Sequence, residues 1–181
     1  QLDVMDGEFV PNTTFYHSPR LLADLPITME VHLMIERPSL FLRQWALPNV
    51  TRLIVHEEAV TNMMECLHIV RDAGKEFAVA INPETSTFVL KEYINDIDMV
   101  VIMGVNPGFS GQQFQKDVLE KIKEVKHMRS DVLVEVDGGV NLENRDMIVA
   151  AGADILAAAT AIWQSDDIAA TIAQLRGVGD V

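Results

Sequence analysis

An α/β fold of parallel strands and crossover helices is predicted for this 181-residue chain, as a (β/α) barrel in preference to an open doubly wound sheet. The first observation behind this is that short runs rich in Val, Ile and Leu alternate with longer segments of helical period, the pattern of successive βα units. Periodicity alone leaves both architectures open. The second observation favours the barrel: Asp3, His32, His56, Asn82, Met103 and Asp137 fall at or near the carboxyl ends of successive predicted strands, where a barrel has its active rim.

In chain order, strands are predicted at Leu2–Met5, 27–34, 52–56, 77–82, Met99–Met103, 132–136 and 154–158. Between them, Val60, Met63, Met64, Leu67 and Val70 are spaced to share one helical face, and Gly74 supplies a stop. Phe114, Val118, Leu119, Ile122 and Val125 form a second apolar stripe, with Lys116, Glu120, Lys121, Lys123 and Glu124 elsewhere around that helix. No composition shift or Ser/Gly-rich linker divides residues 1–181, so a single barrel domain is expected.

Composition narrows the function classes. Apolar residues make up 49% and charged residues 23% of the chain, enough for one well-packed core. The formal net charge of −13 argues against nucleic acid or an anionic membrane surface as a partner, and an anionic substrate would need local help. Cys66 is the lone cysteine, so no internal disulfide or zinc cluster of cysteines is expected, and a reducing, cytoplasmic setting is the economical reading. No apolar run reaches the roughly 18 to 20 residues of a membrane span.

Three clusters carry possible chemistry. In Leu2-Asp3-Val4-Met5-Asp6-Gly7, strand alternation puts Asp3 and Met5 on one face, whereas Asp6 suits a turn cap. In Glu30-Val31-His32-Leu33-Met34, the first, third and fifth residues share a face. His32 taken alone reads as a hydrogen-bonded core residue, but beside Asp3 it completes a common divalent-metal donor set. His56 with Glu57 and Glu58 reads as a supporting or surface group, and His17, His68 and His127 as solvated. The third cluster is Glu135-Val136-Asp137-Gly138-Gly139, a strand-end acid opening into paired glycines whose backbone can approach an anion. The Gly-rich loop Asn106-Pro107-Gly108-Phe109-Ser110-Gly111-Gln112 is where a phosphate would be held, and the small residues of Ala157 to Ile162 could leave room for it. If Asp3 and Asp137 converge on one carbon, one carboxylate removes a proton and the other returns one, inverting the centre.

Taken together, Leu2 to Gly7 with Pro11-Asn12, Val31-His32-Leu33-Met34, His56-Glu57-Glu58-Ala59, Ala80-Ile81-Asn82-Pro83-Glu84-Thr85, the 105–112 loop and Glu135 to Val140 resemble the ribulose-phosphate 3-epimerase family over essentially the whole chain. The resemblance implies a (β/α)8 barrel of the ribulose-phosphate-binding type and interconversion of ribulose 5-phosphate and xylulose 5-phosphate in the pentose phosphate pathway or carbon fixation. It implies Asp3 and Asp137 as acid/base residues and metal ligands, and His32 as a further ligand and substrate contact. Gln1 stands where the family has a fourth ligand, a His, and is expected at the edge of the site or uncoordinated. Met5, Met34 and Met103 are implied as a sulfur-lined floor beneath the substrate. Gly108, Phe109, Ser110, Gly111, Gly138, Gly139, Ala159 and Thr160 are implied at the phosphate, the last two standing where the family has Gly-Ser.

The implied cofactor is one divalent ion (Zn, Fe, Mn or Co), and the implied partners are a small phosphosugar and further copies of the chain in a homo-oligomer. Gln1 and Ala159 motivate an alternative, a silent or altered paralogue that binds a phosphosugar without turnover; a hexulose 6-phosphate 3-epimerase is a third reading. Because Gln1 already lies at a strand start and a barrel closes only when its last strand pairs with its first, a preceding βα unit of about 35 residues is expected.

Overall fold

The computed structural model describes residues 1–15 and 17–177. Seven parallel strands form one sheet in sequential order: β1 (Leu2–Met5), β2 (Met29–Met34), β3 (Val50–His56), β4 (Glu76–Ile81), β5 (Met99–Met103), β6 (Leu133–Asp137) and β7 (Ile155–Ala157). β5, Met-Val-Val-Ile-Met, is buried throughout, as expected of a parallel strand covered on both faces. The helices are α1 (Leu42–Trp45), α2 (Met63–Asp72), α3 (Val118–Met128), α4 (Arg145–Ala151), α5 (Thr160–Trp163) and α6 (Ile168–Leu175), with short 3₁₀ turns between elements.

The sheet is curled. Neighbouring strands lie about 4.8 Å apart, so β2 and β6, four steps apart in the order, would stand about 19 Å apart in a flat sheet. Yet His32 Nδ1 on β2 lies 3.1 Å from Asp137 Oδ2 on β6. The strands therefore wrap around a common interior, the sequential topology of a (β/α)8 barrel with seven of its strands described, and β1 and β7 form the edges of the described sheet. Ile54, Ala78, Ala80, Met99, Val101 and Met103 pack together inside the curl. The larger core, including Leu53, Phe77, Ile102, Val118 and Ile122, fills the layer between sheet and helices.

Local chemistry accounts for the element ends. Asn62 caps α2 by accepting from Glu65 N–H at 3.2 Å, and Gly74, with φ of +70°, supplies the expected stop. The loop after β1 folds back on it: Thr14 Oγ1 accepts from Met5 N–H at 2.9 Å and donates to Asp3 C=O at 2.7 Å. Asp6 is the turn cap expected, accepting from the N–H groups of Glu8, Phe9 and Glu36.

Several boundaries differ from the sequence reading. β2 begins at Met29, leaving Ile27 outside the strand and 56% exposed. The buried side of α2 is Cys66, Leu67 and Val70, whereas Met64 points outward and Val60 precedes the helix. Phe114 and Lys116 lie before α3, because residues 112–117 first return to β5, where Gln115 N–H donates to Gly104 C=O at 2.9 Å. Apolar spacing could not show this, since Phe114 is apolar for packing against Gly104 and Gly139 rather than for a helical stripe.

Candidate active site

The carboxyl ends of β1, β2 and β6 bring Asp3, His32 and Asp137 together. One donor atom from each lies within 4.8 Å of the others. His32 is fully buried, with Nδ1 3.1 Å from Asp137 Oδ2 and 3.7 Å from Asp3 Oδ1. Burial opposes charge on this imidazole, but the hydrogen bond and negative charge of Asp137, with Asp3 and Glu30 adding theirs, raise its pKa above the ordinary value. Burial likewise opposes ionisation of Asp137; the His32 hydrogen bond and charge, with a hydrogen bond from Gln1, hold its pKa below the usual carboxylate range.

Gln1 departs from expectation. Its carboxamide is central to the cluster, donating from Nε2 to Asp3 Oδ1 at 2.8 Å and Asp137 Oδ2 at 2.9 Å, and lying 3.4 Å from His32 Nδ1. Two carboxylates leave a concentration of negative charge that N–H donors neutralise in part. Turning the amide about its terminal torsion presents oxygen to the same point. Two carboxylates and an imidazole form a donor set that suits a divalent first-row metal.

His56 on β3 is buried, not a surface group. Its Nε2 lies 2.9 Å from His32 Nε2, and its Nδ1 lies 3.3 Å from Glu58 Oε2. The two rings are within 12° of parallel with centroids 4.9 Å apart, so with nitrogens as nearest atoms they meet edge to edge. Burial takes His56 down to about 4. Glu58 resists its own burial through hydrogen bonds from His56, Thr85 and Asn82, which bring it to about 2. The sequence offered the His56-Glu57-Glu58 run but no sign that it reached the site from behind. His17, His68 and His127 are exposed, as expected.

Beside Asp3 and Asp137 opens a cavity of about 520 Å³. Met5, Met34 and Met103 line it, as do Gly108, Phe109, Ser110, Gly111, Gly138, Gly139, Ala159 and Thr160. Gly138 and Gly139 both have positive φ, and a Cβ on Gly139 would lie 2.9 Å from the backbone of Phe114, so only glycine fits there. The 106–112 loop is held by Gln112 Nε2, which donates to the carbonyls of Asn106 and Phe109, and by Asn12 Nδ2, which donates to Gly108 C=O at 2.7 Å. No Lys or Arg is among the lining residues.

A family model described as "Ribulose-phosphate 3 epimerase family" matches residues 1–163. The chain belongs to the ribulose-phosphate 3-epimerase family. A ribulose-phosphate 3-epimerase of Bacillus subtilis (strain 168) is 40% identical over 185 aligned residues, covering 97% of this chain and 84% of the relative. One of Aquifex aeolicus is 35% identical, covering 97% and 82%. Solved structures with a similar fold include a 3-hexulose-6-phosphate synthase from Salmonella typhimurium (TM-score 0.65, 16% identity, covering 88% of this chain and 77% of that one). KGPDC from Streptococcus mutans is similar as well (TM-score 0.67, 12% identity, covering 88% and 76%). At these identities the two structures show a shared fold, and the family rests on the sequence matches.

Proposed function

We propose that this family member inverts C3 of a ketopentose 5-phosphate, interconverting ribulose 5-phosphate and xylulose 5-phosphate, with Asp3 and Asp137 as the two proton carriers. The observation that carries the reading is the convergence of these two carboxylates on one cavity from β1 and β6, next to a buried imidazole. In one direction, the first carboxylate takes the C3 proton and the C3–H electron pair moves into the enediolate. The second delivers its proton to the opposite face of C3. In the reverse direction the roles exchange.

Asp3, His32 and Asp137, with the Gln1 amide oxygen as a fourth donor, would hold one divalent ion (Zn, Fe, Mn or Co), which when bound supplies charge that stabilises the enediolate oxygens. The thioethers of Met5, Met34 and Met103 have no exchangeable proton, so they shelter the intermediate from adventitious protonation. With no cationic side chain among the residues lining the cavity, the phosphate depends on backbone N–H groups. The reading assigns this role to those of Gly108 to Gly111, Gly138, Gly139 and Ala159-Thr160, all of which belong to residues lining the cavity.

The reading takes residues 1–181 as one barrel domain acting in the cytoplasm, in the pentose phosphate pathway or carbon fixation, as a homo-oligomer. The lone buried Cys66 is in keeping with a reducing compartment. No helix among the described residues is long and apolar enough to cross a membrane.

Gln1 among the metal donors favours one competing reading, a paralogue that binds a phosphosugar without turnover. Assay of the purified protein with ribulose 5-phosphate, before and after chelation, decides between them. The epimerase reading expects turnover that chelator removes and Mn²⁺ or Co²⁺ restores; saturable binding with no turnover in the metal-loaded protein would contradict it. Parallel assay with a 3-ketohexulose 6-phosphate tests the longer substrate.

A further inference from the structure

We infer that Glu58, which does not touch the substrate cavity, is a positioning residue that acts through His56 to select which nitrogen of His32 is left bare toward Asp3 and Asp137. The inference deepens the proposed reading and rests on it for its functional meaning. Its structural basis is a chain of hydrogen bonds with an accept-only carboxylate at each end, Asp137 lying 3.1 Å from His32 Nδ1, so that with a metal ion held there its polarity is set from the end away from the ion.

That end is Glu58. Its Oε1 accepts from Asn82 N–H at 2.8 Å and from the Thr85 hydroxyl. Lys121 on α3 braces the same turn by donating to the carbonyls of Asn82 and Thr85. A carboxylate can only accept, so at the 3.3 Å contact with Glu58 Oε2 it is His56 Nδ1 that carries the hydrogen. In the neutral imidazole the other nitrogen is then a lone pair. The 2.9 Å contact between the two Nε2 atoms therefore needs its hydrogen on His32. With two ring hydrogens for three contacts, this leaves His32 Nδ1 bare toward Asp3, Asp137 and the Gln1 amide, as a metal ligand must be, whereas in the metal-free protein the accept-only Asp137 draws a hydrogen to the same Nδ1. Both rings are fully buried, so water does not offer an alternative partner that would loosen the sequence.

The chain makes the isosteric substitution at Glu58 the informative one. In Glu58→Gln, the Asn82 N–H and Thr85 hydroxyl keep the amide oxygen on their side, which places the amide NH₂ against His56 Nδ1. His56 must then accept at Nδ1 and carry its hydrogen on Nε2, and His32 must move its hydrogen to Nδ1, facing the metal donors. Glu58→Ala removes the instruction without reversing it.

Long-range ¹H–¹⁵N correlation spectra, of the wild type loaded with Zn²⁺ and of metal-free Glu58→Gln at alkaline pH where both imidazoles are neutral, read the tautomers directly. The wild type is expected to show His56 as Nδ1–H and His32 as Nε2–H, and Glu58→Gln to show both reversed. Calorimetric titration with Co²⁺ should find affinity lowered about 10- to 100-fold in Glu58→Gln and by less in Glu58→Ala, although Gln is the better steric match. Wild-type tautomers opposite to these, unreversed tautomers in Glu58→Gln, or an affinity loss in Glu58→Ala equal to or larger than that in Glu58→Gln would overturn the inference. The spectra need neither substrate nor turnover, so a failure of the epimerase reading would show separately in the ribulose 5-phosphate assay.

Discussion

The two ends of the barrel interior hold ionisable groups from the same strands and use them in opposite ways. Toward the carboxyl ends, Asp137, His32, His56 and Glu58 form a hydrogen-bonded series that opens on the cavity. Toward the amino ends, Glu30, Arg52, Glu76 and Glu135 form a second group, in which Arg52 binds Glu30 at 2.8 Å and Glu76 at 2.6 Å. Glu30 lies two positions before His32 along β2, and Glu135 two positions before Asp137 along β6, about 6.6 Å in each case. Asp137 has an imidazole partner and a pKa held down. Glu135 is fully buried with neither oxygen hydrogen-bonded among the described residues, and burial first, then the charges of Glu30 and Asp137, push its pKa well above the carboxylate range. Being acidic and buried in a barrel strand does not make a residue catalytic. Partners and an opening to substrate do, and both change within one alternation of the strand.

The largest expected effect is at the cavity end. Asp3→Asn and Asp137→Asn should each lower kcat about 10²- to 10⁴-fold while leaving thermal unfolding close to wild type, because each removes a proton carrier at nearly constant volume. A loss under about tenfold in both variants would erase the distinction between the two ends. At the other end, Arg52→Ala should act on stability instead, since it leaves Glu30 and Glu76 as uncompensated acids. Breaking a largely buried ion pair of this kind costs about 3 kcal/mol, measurable by urea denaturation, with kcat of the folded fraction nearly unchanged.

Glu135→Gln has the smallest expected effect, and it depends on pH. A folded-state pKa above the unfolded value means that the native protein binds a proton the unfolded chain releases, so stability is full below the carboxylate range and declines as pH rises. Glutamine stays neutral throughout. The variant should therefore match the wild type near about pH 5 and become progressively more stable than it toward about pH 9 in parallel urea titrations. A constant offset would place a charged Glu135 in the native state and remove the contrast with Asp137.

Much of this was legible in the amino-acid order. β-branched runs marked all seven strands to within a few residues, and the acids and imidazole at their ends named the three groups that meet. The meeting of Asp3 with Asp137 followed from the barrel assignment, because those residues are 134 positions apart (137 minus 3) and adjoin only when the sheet curls. Other features depended on packing that no local pattern encodes. Phe114 obeys helical spacing but serves a loop, Gln1 enters the centre of the cluster because two carboxylates draw its amide, and Glu58 reaches His32 only through a buried ring on a third strand.

The central claim is that Asp3 and Asp137 serve opposite faces of one carbon, and the reaction in D₂O tests it most directly. Starting from ribulose 5-phosphate carrying ordinary hydrogen at C3, the xylulose 5-phosphate formed should contain solvent deuterium at C3, because the carboxylate that delivers the second proton is not the one that removed the first. Substrate recovered early should retain far more of its original hydrogen than the product does. Product that keeps the original C3 hydrogen from its first appearance would mean that a single group carries the proton between faces, and would contradict the two-carboxylate account.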